Sequence, residues 1–262
     1  NNGAYGAPTV LAGTATSATR AITGGQTVRA RVRCKNTSGG YGDYTVSATI
    51  TSPPEVATGV AASETATPGT VTVTWSNAAT TTGVVLSRTA SGVTTDISLG
   101  VVTTYTDTPG NSLAVQYRVT NYNTGGSAPA SPVVSVTTTP AVPTVTSFTA
   151  TNPGILTLSA SPVVQSNLAR YDIQLETAGV WGTSVQSPSS PNFTWTNATH
   201  GTVYRARVRA VDTFGANSAW ATSASASGVN DLVGPVVAAP TAVWSDGIPG
   251  FTVTWVTVTD AL

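Results

Sequence analysis

Two stretches of this chain follow one pattern. "GQTVRARVRCKNT" (25–37) lies over "GTVYRARVRAVDT" (201–213) without a gap, so Arg29, Arg31 and Arg33 fall on Arg205, Arg207 and Arg209. Charge at every second place, with small apolar residues between, fits one structure. Side chains of a strand alternate between its faces, so the arginines share one face and Val208, Ala206 and Ala210 the other. A strand that recurs intact implies a recurring unit around it. A third, looser copy is "AVQYRVTNYNTGGS" (114–127).

A second repeat marks another strand. "VTVTWS" (71–76) and "FTVTWV" (251–256) are close matches, and "ILTLSA" (155–160) holds the same relative place in its unit. Proline-bearing runs divide the units: "TSPPEV" (51–56), "TTTPAVPTV" (137–145) and "VGPVVAAPT" (233–241). Proline cannot donate to a sheet ladder and belongs at strand starts and boundaries. The runs are spaced by the length of one small domain. The division is therefore a partial domain at 1–52, complete domains at 53–139 and 140–231, and a partial domain at 232–262. The first part supplies the back of a domain and the last part the front.

Composition supports strands throughout. Charged residues are only 8% of the chain, against about 25% in an ordinary soluble domain. Thr, Ser, Val, Ala and Gly dominate, and no window carries a helical apolar period. In the second domain, alternation between turn residues predicts strands near 56–62, 71–76, 82–90, 93–99, 102–106, 113–122 and 131–137. Seven short strands are what an immunoglobulin-like sandwich requires. The expected fold class is all-β, as tandem seven-stranded sandwiches.

The bulk numbers also exclude partners. Net charge is zero, which removes the electrostatic case for nucleic acid. No uninterrupted apolar stretch is long enough for a membrane-inserted helix. One cysteine, Cys34, allows no internal disulfide.

These residues resemble fibronectin type III domains. The carriers are Trp75 in "VTVTWS", "TYTDT" (104–108), "VQYRVTNYNTGGSAPAS" (115–131) and "VVSVTTTP" (133–140) in the second domain, and "YRARVRAVDTFGANSAW" (204–220) in the third. The resemblance implies that Trp75 and Trp255 are core residues of the second strand. Ala160 stands at that place in the third domain, so Trp195 or Trp181 must fill the missing volume. It implies a tyrosine corner at Tyr204, whose place is taken by Val115 and Val28 in the other copies. The strand bearing Arg205, Arg207 and Arg209 is then central in its sheet, with the arginines on the outer face.

"RARVR" followed by "D-x-x-G-x-x-SAW" is also similar to fibronectin-type domains of tail-tip and minor tail proteins in long-tailed bacteriophages. That resemblance implies a non-enzymatic structural and adhesive module in a virion tail. Its partners are other tail proteins or copies of itself, and a host surface glycan or protein. The alternative is the spacer of a secreted bacterial polysaccharide-degrading enzyme or cell-surface adhesin, because the second domain looks like such units.

A search for chemistry finds little. His200 is the one histidine, in a turn, and reads as solvated. No carboxylate pair and no Cys/His cluster has catalytic or metal-ligand spacing, so no cofactor and no metal is expected. Cys34 aligns with Ala210 and reads as a small buried core residue. Asp107 and Asp212 read as turn residues that bind their own backbone. The sequons at Asn36, Asn192 and Asn197 are expected to stay unmodified. Arg29, Arg31, Arg33, Arg205, Arg207 and Arg209 form the candidate interaction face. They serve either to solvate a sheet or to meet a carboxylate, an acidic sugar or a neighbouring subunit. Trp220 and Trp244 are candidate junction or glycan-stacking aromatics.

The two partial domains add up to about one small domain. The simplest expectation is a window onto a longer multi-domain protein. The alternative expectation is head-to-tail completion, in which the front part of one copy closes the back part of the next.

Overall fold

The computed structural model describes residues 5–152, 154–199, 201–226, 239–244 and 250–255. All regular structure among them is β-strand. The chain packs as two compact units. One holds residues 1–63, 72–106 and 116–135, and the other 64–71, 107–115 and 136–262.

The first region is one long irregular hairpin. Strands β1 (Thr27–Val28) and β2 (Arg31–Val32) run out, and β3 (Thr45–Val46) and β4 (Ile50–Thr51) run back. Among the described residues β1 pairs only β4, and β2 only β3.

The second region has two sheets. β5 (Thr58–Glu64), β6 (Val71–Ser76) and β9 (Thr104–Asp107) form one, in the order β5-β6-β9. β7 (Gly83–Ala90), β8 (Val93–Leu99), β10 (Ala114–Asn123), β11 (Gly126–Ser127) and β12 (Val134–Thr137) form the other. The seven strands expected here are all present, with β11 added at the turn. Ser91 and Gly92, both at positive φ, close the β7–β8 hairpin. This is the two-residue turn whose twist matches its strands. Alternation decides burial: Val71, Val73 and Trp75 on β6 are buried while Thr74 and Ser76 are exposed. Val115, Tyr117 and Val119 on β10 behave the same way. Trp75 is core as expected, and its indole N–H is satisfied by Asn77 Oδ1 at 2.9 Å.

The third region repeats the plan. β13 (Thr144–Asn152), β14 (Ile155–Ser161) and β18 (Phe193–Trp195) make one sheet. β15 (Leu168–Thr177), β16 (Val180–Trp181), β17 (Val185–Ser187), β19 (Tyr204–Asp212) and β20 (Ala221–Thr222) make the other. Leu158 and Ala160 from the first sheet meet Tyr171, Ile173, Ala206, Val208 and Ala210 from the second. Trp195 fills the volume that Ala160 leaves, edge-on to Phe193 at 4.9 Å and to Phe148 at 6.0 Å. Trp181 does not; it stands on the outer face. The tyrosine corner is present: Tyr204 Oη accepts the Thr199 N–H at 2.9 Å.

The last described strands are β21 (Thr241–Trp244) and β22 (Phe251–Thr254), paired antiparallel in a two-stranded sheet.

The junction residues are tied down locally. Asn123 Nδ2 donates to the Ser52 carbonyl at 3.0 Å, and Asn121 Nδ2 to that of Glu55 at 3.2 Å. Here Gly125 comes so close that an added Cβ would sit 2.2 Å from the Thr51 carbonyl oxygen. Further along, the Glu64 carboxylate accepts the N–H of Thr139, and Gln165 Oε1 accepts that of Ala141.

Two burial expectations fail. Cys34 is exposed, and so is Val32 two residues before it. Trp255 is 65% exposed, whereas its sequence counterpart Trp75 is 4% exposed. The cause is shared: the described chain lays no second sheet against either hairpin, so alternation has no core to point into. His200 lies outside the described residues.

Candidate interaction face

The hairpin of residues 25–50 and that of residues 201–226 are built alike. Val28↔Ile50, Arg31↔Val46, Val32↔Thr45 and Lys35↔Tyr41 pair in the first. Tyr204↔Ala226, Arg207↔Thr222, Val208↔Ala221 and Val211↔Asn217 pair in the second, at a constant offset. Even the irregularities coincide. Ser47 Oγ accepts the Ala30 N–H at 2.9 Å, and Ser223 Oγ accepts that of Ala206 at 2.9 Å. At the tip, Asn36 Oδ1 accepts the Gly40 N–H at 2.7 Å, and Asp212 Oδ1 accepts that of Ala216 at 2.8 Å. The following turn needs φ near +88° at Gly39 and +85° at Gly215, a region open to glycine. Asp212 is thus the turn residue expected of it. Asp107 ends β9 and is buried.

The outer faces carry aromatic and cationic side chains in alternation. In the third region the Arg207 guanidinium lies 4.1 Å from the Trp181 ring centre and 4.3 Å from that of Trp220. Arg209 lies 4.6 Å from Trp220. In the first region Arg31 lies 4.0 Å from Tyr5 and 4.1 Å from Tyr44. Arg33 lies 4.5 Å from Tyr44 and 3.9 Å from Tyr41, and Lys35 5.4 Å from Tyr41. Tyr44 and Trp220 hold equivalent places, as do Tyr5 and Trp181. Each such contact contributes about 0.5–1 kcal/mol at an exposed site. The arginines were legible in the sequence; the tyrosines were not, although the constant offset from Trp181 and Trp220 reaches Tyr5 and Tyr44.

The two ladders differ in charge. β15 pairs with β19 and sets Asp172 opposite Arg209, Gln174 opposite Arg207 and Glu176 opposite Arg205. Asp172 is nearly buried. Its Oδ2 takes Nε and Nη2 of Arg209 at 3.1 and 2.9 Å, and its Oδ1 takes Nε of Arg170 at 2.9 Å. Gln174 Oε1 takes Nε of Arg207 at 2.8 Å. Arg205 and Glu176 form a looser, more exposed pair at 3.6 Å. Burial lowers the Arg207 pKa from its ordinary value, and Arg209 lowers it further, while Glu176 opposes both. The guanidinium stays charged at neutral pH. Among the described residues, no carboxylate lies within ion-pair distance of Arg31 or Arg33.

The remaining candidates separate. Trp220 is half-buried in the arginine ladder, whereas Trp244 is 68% exposed on β21. Arg29 is exposed beside β1. Among the described residues, no three His, Cys, Asp or Glu side chains come together.

No protein-family model and no curated protein matches this chain. Among solved structures it is similar to a segment of two fibronectin type III domains from chicken tenascin. That likeness has 14% identity and a TM-score of 0.49, over 65% of this chain and 98% of that one. It is also similar to the FN1–FN3 domains of chicken CNTN1, with 18% identity and a TM-score of 0.31, over 74% of this chain and 76% of that one.

Proposed function

We propose that this chain is a non-enzymatic structural and adhesive array of fibronectin type III domains in a bacteriophage tail, as part of a tail-tip, minor tail or fibre protein. The domains are 53–139 and 140–231, flanked by parts at 1–52 and 232–262. The array holds an attachment surface at the virion tail, and its partners are other tail proteins, copies of itself and a host surface glycan or protein.

The observation that carries this reading is the string of residues 204–220. Its "RARVR" and "D-x-x-G-x-x-SAW" are similar to phage tail domains, and the string builds a stacked Arg/Trp face on an outward sheet surface. Such a face suits contact with a polar partner better than catalysis, because its groups are stacked and paired rather than converging on a reacting atom. The test is to isolate the native polypeptide and map peptides from both ends. Flanking tail-hub or fibre sequence is the expected result. A catalytic domain or a cell-wall anchor in the flank overturns the reading in favour of a secreted or cell-surface bacterial protein.

A further inference from the structure

The outer face of the third region is built mainly from polar side chains. Alternation puts Arg170, Asp172, Gln174 and Glu176 of β15 beside Arg205, Arg207 and Arg209 of β19. Gln186 of β17 and Thr222 of β20 flank them, and both are exposed. Two indoles, Trp181 and Trp220, supply the apolar surface, and each is already stacked on a guanidinium.

Charge on this face does not balance. Asp172 is shared by Arg170 and Arg209, and Glu176 lies 3.6 Å from Arg205. Arg207, in the middle of the row, meets Gln174 instead, a neutral amide between two acids. Among the described residues, no carboxylate lies within ion-pair distance of Arg207. Its Nε and Nη2 both turn to Gln174 Oε1. That occupies one edge of the guanidinium fork. The other edge, Nη1 with Nη2, has the geometry that takes a carboxylate through two parallel bonds. Burial and Arg209 both work against the charge of Arg207, and an arriving anion offsets both.

Taking this face as the contact surface of the array, we propose that it binds an acidic glycan, a chain of uronic-acid sugars, with Arg207 as the residue that reads the carboxylate. The carboxylate seats on the outer edge of Arg207, and ring hydroxyls meet Gln186 and Thr222. A protein interface centres on apolar groups that lose water on contact, and here the indoles are already covered by arginine. A sugar acid carries one carboxylate and several hydroxyls on a single ring. Arginine, amide and threonine hydroxyl side by side match that set.

Calorimetric titration of the 262-residue chain with a galacturonic acid hexamer tests this, with a neutral galactose hexamer and hexaglutamate as comparators. The expected result is saturable binding of the galacturonate alone, weakened at least about tenfold by Arg207→Gln. Gln174→Glu is the sharper variant, because it supplies the missing carboxylate from β15. It weakens binding as much, while the third region unfolds at the same or a higher urea concentration, which separates loss of ligand from loss of fold. No saturable binding of galacturonate overturns the proposal, and so does binding that survives both substitutions. Hexaglutamate binding as tightly as the sugar acid overturns the glycan in favour of an acidic protein partner. None of these results depends on the sequence flanking the chain, so the phage-tail context stands or falls separately.

Discussion

The hairpins of residues 25–50 and 201–226 share strand pairing, serine acceptors, turn geometry and a stacked cationic face. One is half of a packed sandwich, and among the described residues no second sheet lies against the other. Val208 is buried and Val32 exposed, and Asp172 holds Arg209 where, among the described residues, no carboxylate holds Arg33. What the core adds is burial of the alternate face and a strand that neutralises the arginines.

Substitutions at equivalent places sharpen this contrast. The largest difference is expected at the apolar position. Val208→Ala removes a fully buried side chain and leaves a cavity, at about 2–3 kcal/mol. Val32→Ala stays within about 0.5 kcal/mol. Urea denaturation with amide exchange read separately over 204–212 and 27–34 checks both, and equal effects would dissolve the contrast.

Next is Asp172→Ala, which strips hydrogen bonds from Arg170 and Arg209 and costs about 2 kcal/mol. Both guanidinium groups remain partly exposed and regain water, which keeps the loss below that of a wholly buried pair. The same denaturation assay reads it, and a loss under half that size would show the carboxylate to be dispensable.

Tyr204→Phe removes the acceptor of the Thr199 N–H and costs about 1 kcal/mol. Val28, the counterpart, holds no such bond, so Val28→Phe leaves exchange in the first hairpin unchanged. The smallest effect is at the rings. Tyr44→Leu loosens its stack on Arg31 and Arg33 by about 0.5–1 kcal/mol, and high salt does little to that loss because packing persists where charge is screened. Tyrosine fluorescence and amide exchange of β2 measure it.

Much of the fold was legible. The strands of the second region lie within a few residues of their expected places because each is bounded by turn chemistry and carries its own alternation. The arginine face was legible for the same reason. Cys34 and Trp255 were misread because a residue at a core position is buried only when a second sheet arrives, and no local pattern reports that arrival. The stacking tyrosines were missed because Tyr5, Tyr41 and Tyr44 lie outside any alternating run; only the fold brings them over Arg31 and Arg33.

The sequence by itself determined the hairpins: where the chain turns at Gly39 and Gly215, which face bears charge, and which serine takes up a free N–H. These depend on hydrogen bonds and φ preferences among residues close along the chain. Tertiary structure decided that Trp195 rather than Trp181 fills the space beside Ala160, and that Asp172 meets two arginines. It also decided that Val208 is buried while Val32 is not. Those outcomes depend on which distant strand packs against which, because burial and charge pairing are properties of two surfaces in contact.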